Sequence, residues 1–178
     1  MTRVTGVQTG TAVLAADAVL FIALIVLFVY PVNRDSGERR TIERTLSRLQ
    51  KEDTFRSDPA AARTILGAAG FRVRELGLGR DAIVEATAVR RMGEVRVLYV
   101  CFRPVVPWTG RQIWAHAYPP ESHNYVDLAP VPPPIGRLRR GELGCQRFEM
   151  PPQGRFNVYV GVAKEGTLGP AYPFGWLE

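Results

Sequence analysis

The chain has 178 residues, 46% of them hydrophobic and 22% charged, with a formal net charge of +6 and a pI near 9.8. That length suits one domain of about 100–120 residues beside a short accessory segment and excludes a multidomain body. The positive balance comes almost wholly from arginine, since Lys51 and Lys164 are the only lysines. Such a balance suits anionic lipid headgroups or an acidic protein partner as well as nucleic acid, and the first two are favoured if the chain also carries a membrane-spanning run.

After a polar tail over residues 1–10 comes TAVLAADAVLFIALIVLFVY, Thr11–Tyr30, apolar but for Asp17. At about 1.5 Å per helical residue, a run of roughly twenty matches the ~30 Å hydrocarbon core, which predicts a single transmembrane helix. A cleaved signal peptide fits poorly: Arg3 is the only early charge, and Phe28 to Val32 offer no small-residue cleavage site. Asp17 would cost about 2.5–3.5 kcal/mol at mid-bilayer, but it lies near the N-terminal end of the run. Ala12, Ala15, Ala16, Val19 and Ala23 share a small-residue face on which a second helix packs closely; the alternative is a lipid-facing helix with Asp17 snorkelling. Tyr30 suits the interfacial aromatic belt and Pro31 stops the helix.

Topology follows from basic residues. Only Arg3 precedes the run, whereas Arg34, Arg39, Arg40, Arg44, Arg48 and Lys51 follow it, which places the C-terminal body in the cytoplasm of a bacterial inner-membrane protein. For Cys101 and Cys145 the default reading is two buried free thiols, since one disulfide would require an extracytoplasmic body.

Residues 31–70 read as a basic juxtamembrane helical linker. Asp35 and Glu38 have capping-box spacing, and Ile42, Leu46 and Leu49 recur at helical period between Arg39, Arg40, Arg44 and Arg48. The stripe is narrow and has three readings: it lies on anionic headgroups, packs on a neighbouring subunit, or belongs to a solvated linker. Ser57-Asp58-Pro59 opens a second short helix that Gly70 closes.

From Phe71 to Glu178 the period changes to that of strands: FRVRELGL, DAIVEATAVRR, EVRVLYVCFR, RQIWAHAY and RFNVYVGVA, punctuated by Gly and Pro. EVRVLYVCFR is apolar on both faces, as in the interior of a sandwich, while RFNVYVGVA keeps Asn157 and Tyr159 on a wetter face. Val97, Tyr99, Trp114, Phe156, Val158 and Val160 are the expected core. Pro119–Gly141 is too long for a hairpin and reads as an ordered, proline-stiffened crossover between sheets.

Gly70-Phe71-Arg72-Val73, Phe102-Arg103-Pro104, Trp114-Ala115-His116-Ala117-Tyr118-Pro119, Gly141-Glu142, the run Pro152 to Gly161 and Leu168-Gly169-Pro170 follow one another in a familiar order. In them the chain from about Phe71 to Leu177 resembles the immunoglobulin-like β-sandwich appended to many bacterial membrane proteins, some of them multi-span and glycosyltransferase-like. The resemblance implies a mainly β, antiparallel recognition or packing module without catalytic residues of its own. The multi-span portion of those proteins has no counterpart here.

Candidate chemistry is sparse. His116 and His123, with Glu121 and Asp127 nearby, lack the spacing of a zinc site, and neither cysteine has the orienting groups of a nucleophile. The Gly77–Arg80 stretch, GLGR, is no phosphate loop, for no Gly-Lys-Ser/Thr follows. No metal or cofactor is expected. Trp108, Trp114, Tyr118, Tyr125, Tyr172 and Trp176 suggest a sugar-stacking platform, although aromatic residues of a sandwich are more often core. Arg137, Arg139 and Arg140 form the one basic cluster of the body.

The expectation is therefore a non-catalytic, single-span accessory subunit that contacts other subunits of a larger membrane complex, of respiratory or photosynthetic type, through Asp17, the arginines and exposed tryptophans. The alternative is a tethered glycan or envelope recognition module on the extracytoplasmic face. Because the anchor is read as permanent, N-terminal sequencing of the mature protein should find a start before residue 30; a start beyond it removes the anchor.

Overall fold

The computed structural model describes residues 37–92, 94–132 and 135–177. The apolar run Thr11–Tyr30, with Asp17 and its small-residue face, lies outside them, as do Arg34 and Asp35. Among the described residues no helix is long and apolar enough to cross a membrane. The protein is mainly β, with antiparallel sheets, and its compact unit runs from Arg39 to Glu178.

Among the described residues three helices come first: α1 (residues 37–51), α2 (Thr54–Ser57) and α3 (Pro59–Ala68). Asp53, in the left-handed region at φ 49°, turns the chain between α1 and α2. At α3 the sequence signals act as read: Asp58 caps, its carboxylate accepting from the Ala61 amide at 3.0 Å, and Pro59 occupies the first turn, where no amide hydrogen is needed. Gly70, at φ 80°, makes the turn that ends the helix and delivers Phe71 to the first strand.

Ten strands follow. The first sheet holds β1 (Arg72–Leu78), β2 (Ala82–Met92), β3 (Val95–Pro104), β7 (Gly144–Met150) and β6 (Pro130–Val131), in that spatial order. The second runs β10 (Tyr172–Leu177), β8 (Phe156–Lys164), β4 (Arg111–Tyr118) and β5 (Val126–Asp127), with β9 (Thr167–Leu168) also on β8. All five strands read from the sequence are present as β1, β2, β3, β4 and β8. The proline-rich crossover does join the sheets, and it carries two strands of its own. The chain leaves β5 at one sheet's edge and enters β6 at the other's three residues later, pivoting on buried Leu128, whose amide reaches the Ala115 carbonyl at 3.0 Å.

The two sheets face each other across a core built from Val84, Leu98, Val100 and Phe102 on one side and Ala115, Val158, Val160 and Phe174 on the other. A second core lies on the opposite side of the first sheet, where Ile42, Leu46, Leu49, Phe55 and Leu66 of the helices cover Ala86, Ala88, Val97, Tyr99 and Cys101. This explains why β3 is apolar on both faces: one looks into the sheet pair and the other is roofed by helices. Val97 and Tyr99 are thus buried, but under helices and not between sheets. Burial pushes the Tyr99 phenol above its ordinary pKa. The α1 stripe, read as lying on headgroups, packing on a neighbour or belonging to a solvated linker, is buried on the protein's own sheet, and Gln50 adds a bond to the Leu143 carbonyl at 3.2 Å.

One residue makes the helix layer possible. On β2, Ala82 and Val84 face the other sheet while Ala86 and Ala88 face the helices, although strict alternation would put all four on one side. The register against β3 slips between Val84 and Ala86, so Glu85 is the extra residue of a β-bulge. Its fully buried carboxylate accepts from Arg63 of α3 at 2.6 Å and from Arg103 of β3, and Glu75 of β1 closes the cluster on Arg63 at 2.8 Å. The bond to Glu85 holds the Arg63 guanidinium above its ordinary pKa.

Cys101 and Cys145, expected as free thiols, are directly opposed across β3 and β7 with Cα atoms 4.0 Å apart, and they form a disulfide. The sequence offered no register for β7, hence no pairing. Arg63→Ala combined with Arg103→Ala leaves the Glu85 carboxylate buried and unpaired and should cost roughly 3–5 kcal/mol in urea unfolding. Glu85→Gln should cost less, because both guanidinium groups, 29% and 26% exposed, then turn to water.

Candidate binding face

Alternation on β4 sends Ile113, Ala115 and Ala117 inward and leaves Gln112, Trp114, His116 and Tyr118 outward; on β8 it sends Val158, Val160 and Val162 inward and Asn157, Tyr159 and Gly161 outward. Pairing aligns these outward residues in rows. Tyr118 sits beside Asn157, which pairs with Trp176 of β10; His116 lies between Tyr159 and Asp127; Trp114 faces Gly161. The result is an open face of rings in mutual contact.

Trp114 lies over Gly161, the one outward position of β8 without a side chain. A Cβ there would come within 2.4 Å of the indole and 2.5 Å of the Pro170 carbonyl. The indole also meets the His116 ring at 4.5 Å. His116 Nε2 is 2.6 Å from Asp127 Oδ1, and its imidazole is covered by Tyr125, stacked at 4.2 Å with only 7° between the planes. Tyr118 touches Tyr125 at 5.6 Å and Tyr159 edge-on at 5.0 Å. Tyr125 is 50% exposed and the Asp127 side chain 77%, whereas that of His116 is 12%. On the β10 side, the Arg155 guanidinium lies 4.9 Å from the Trp176 ring.

The residues read as interaction candidates are distributed otherwise. Trp108 is buried between the sheets against Phe102, with ring centres 4.8 Å apart, so it belongs to the core and not to a platform. Trp114, expected in the core, is on the outer face. Tyr172 packs against the inter-sheet core. Arg39 pairs with Glu43 at 2.8 Å, a bond that raises its pKa, and Arg48 pairs with Glu52 at 3.1 Å. Such exposed pairs contribute little to stability. Arg139 is held by Glu142 at 3.4 Å and Asp53 at 3.6 Å, within the protein's own surface. Arg40, Arg44, Arg137 and Arg140 are exposed and have no acidic partner among the described residues.

No three side chains of the His, Cys, Asp and Glu types converge among the described residues. The site residues that sequence reasoning missed are Tyr159, Asn157, His116 and Asp127 as one group. The wetter face of β8, with Asn157 and Tyr159, was visible, whereas on β4 Trp114 was read as core; only the pairing of the two strands, and the docking of β5 on β4, brings the residues together.

Compared with protein-family models, with curated proteins and with solved structures, the chain matches none.

Gly161→Ala should force Trp114 off the sheet, shift the tryptophan emission and cost roughly 1–3 kcal/mol of stability. Gly77→Ala, where nothing lies within 4 Å, is the control and should leave both unchanged.

Proposed function

We propose that the protein is a membrane-anchored, non-catalytic binding subunit whose body lies on the extracytoplasmic side of a bacterial inner membrane. The Cys101–Cys145 bond carries the second half of this reading. Disulfides form and persist in oxidising compartments and are reduced in the cytosol. The basic residues after Tyr30 argue the other way, but that rule weakens where a whole domain follows the span. The disulfide depends on no such condition, so the extracytoplasmic placement is preferred.

The binding half rests on the shape of the body. A disulfide between neighbouring strands, a buried ionic cluster and a helix roof fix the first sheet, while the second turns an aromatic face outward. Two antiparallel sheets over one core support the immunoglobulin-like reading of the body; its disulfide joins strands of one sheet where antibody domains link two. An accessory role in a larger membrane complex draws on a different observation, the exposed Arg40, Arg44, Arg137 and Arg140, which have no acidic partner among the described residues and suit acidic subunits or anionic headgroups.

A C-terminal alkaline phosphatase fusion to the full chain should be active in cells. The native chain should resist alkylation until reduced and then take up label at two thiols. An inactive fusion, together with two thiols labelled without reductant, overturns the placement.

A further inference from the structure

We propose that the outer face of the second sheet is a carbohydrate-binding site for a neutral glycan, with Tyr125 as the stacking ring and Asp127 and Asn157 as hydrogen-bonding groups. It rests on the extracytoplasmic reading only for where the glycan is met, not for the binding itself.

A pyranose presents a flat patch of C–H bonds rimmed by hydroxyls, so its receptor needs an aromatic ring with one open face and polar groups at the rim. Tyr125 supplies the first. One side of its ring lies parallel on the His116 imidazole at 4.2 Å, and half of its surface is exposed, so the other side is open. Contact with Tyr118 at 5.6 Å holds it from a second direction. A ring already fixed in place loses little side-chain freedom on binding, which favours affinity.

Asp127 supplies the rim. His116 occupies Oδ1 at 2.6 Å, leaving Oδ2 without a protein partner among the described residues, on a side chain that is 77% exposed. An ionised carboxylate accepts hydroxyl hydrogens strongly. Asn157, between Tyr118 and Trp176, adds an amide with both a donor and an acceptor. His116 acts as a positioning residue, carrying Tyr125 on its ring and Asp127 on its nitrogen.

The charge pattern selects a neutral ligand. Arg40 and Arg44 lie on the helix layer, across the first sheet from this face, the Arg155 guanidinium at the β10 edge is engaged by the Trp176 ring, and the carboxylate of Asp127 beside Tyr125 repels an acidic polymer. The composition also disfavours a protein partner. Outward positions 112 to 118 of β4 and 157 to 159 of β8 hold Gln, Trp, His, Tyr, Asn and Tyr, with no aliphatic residue, Met or Arg. Protein interfaces gather Met and Arg beside their aromatics.

The test uses the full chain in a polyoxyethylene detergent, since maltoside detergents carry sugars of their own. The probes are hexaoses of β-1,4-linked glucose, β-1,4-linked N-acetylglucosamine and α-1,4-linked glucose, titrated by calorimetry. At least one should bind saturably, with Kd below about 1 mM. Tyr125→Ala and Asp127→Ala should each weaken it roughly tenfold, Tyr125→Phe should stay within about threefold, and Ser47→Ala, exposed on the helix layer, should change nothing. Unchanged melting of each variant guards against misfolding. If no probe binds the folded, disulfide-intact protein, or if Tyr125→Ala binds as the native chain does, the inference is overturned. It falls equally if no probe binds while Tyr125→Ala releases a co-purified protein or dissolves a dimer. The topology assay is unaffected by any of these results, so the two readings fail separately.

Discussion

Glu85 is the residue on which the architecture turns. As an extra residue in β2 it reverses which side chains point inward, and as a buried carboxylate it receives one arginine from α3 and another from β3. A charge taken out of water is tolerated only with such partners. The bulge and the ionic cluster depend on each other: without the slip, Glu85 would not meet Arg63 and Arg103 from the helix side, and without the arginines it would not remain buried. Because Ala86 and Ala88 beyond the bulge face outward and are small, the helices can approach the sheet closely.

From that constraint follows a body of three layers with unequal duties. The middle sheet is covered twice, by helices and by its partner sheet, and it holds the disulfide and the ionic cluster. Among the described residues, the other sheet is covered once. Its inward face is aliphatic and its outward face is a set of rings, braced by Gly161 under Trp114 and by His116 under Tyr125. Covalent and ionic bracing is concentrated in one layer and exposed aromatic surface in the other.

Much of this was legible in the sequence, and the failures have physical causes. Periodicity exposed the long strands, and capping chemistry exposed α3. β7 escaped because Gln146, Arg147 and Glu149 interrupt its apolar residues, and β10 because Pro173 and Gly175 look like loop punctuation, whereas they sit at a register slip of an edge strand. The α1 stripe was seen, but not what it covers: a narrow stripe beside an apolar run looks like a membrane surface until the outer face of β3 is recognised as needing a roof. The aromatic face was half visible. Trp108 and Trp114 were both read as interaction candidates and Trp114 also as core, and only the fold separates the ring that fills the core from the ring that lies outside it.

The strand order has a consequence for how copies of the chain meet. Each sheet ends in strands that make poor templates: β5 and β6 are two residues long, β10 carries a proline and a slip, and β1 bears Arg72, Arg74 and Glu75 across another slip. Backbone groups are thereby withheld from edge-to-edge pairing, the route by which exposed sheets grow into fibres. Crowding alone will not zip such molecules together through their main chains. Whatever brings two of them into lasting contact must be made by side chains, and can be undone one side chain at a time.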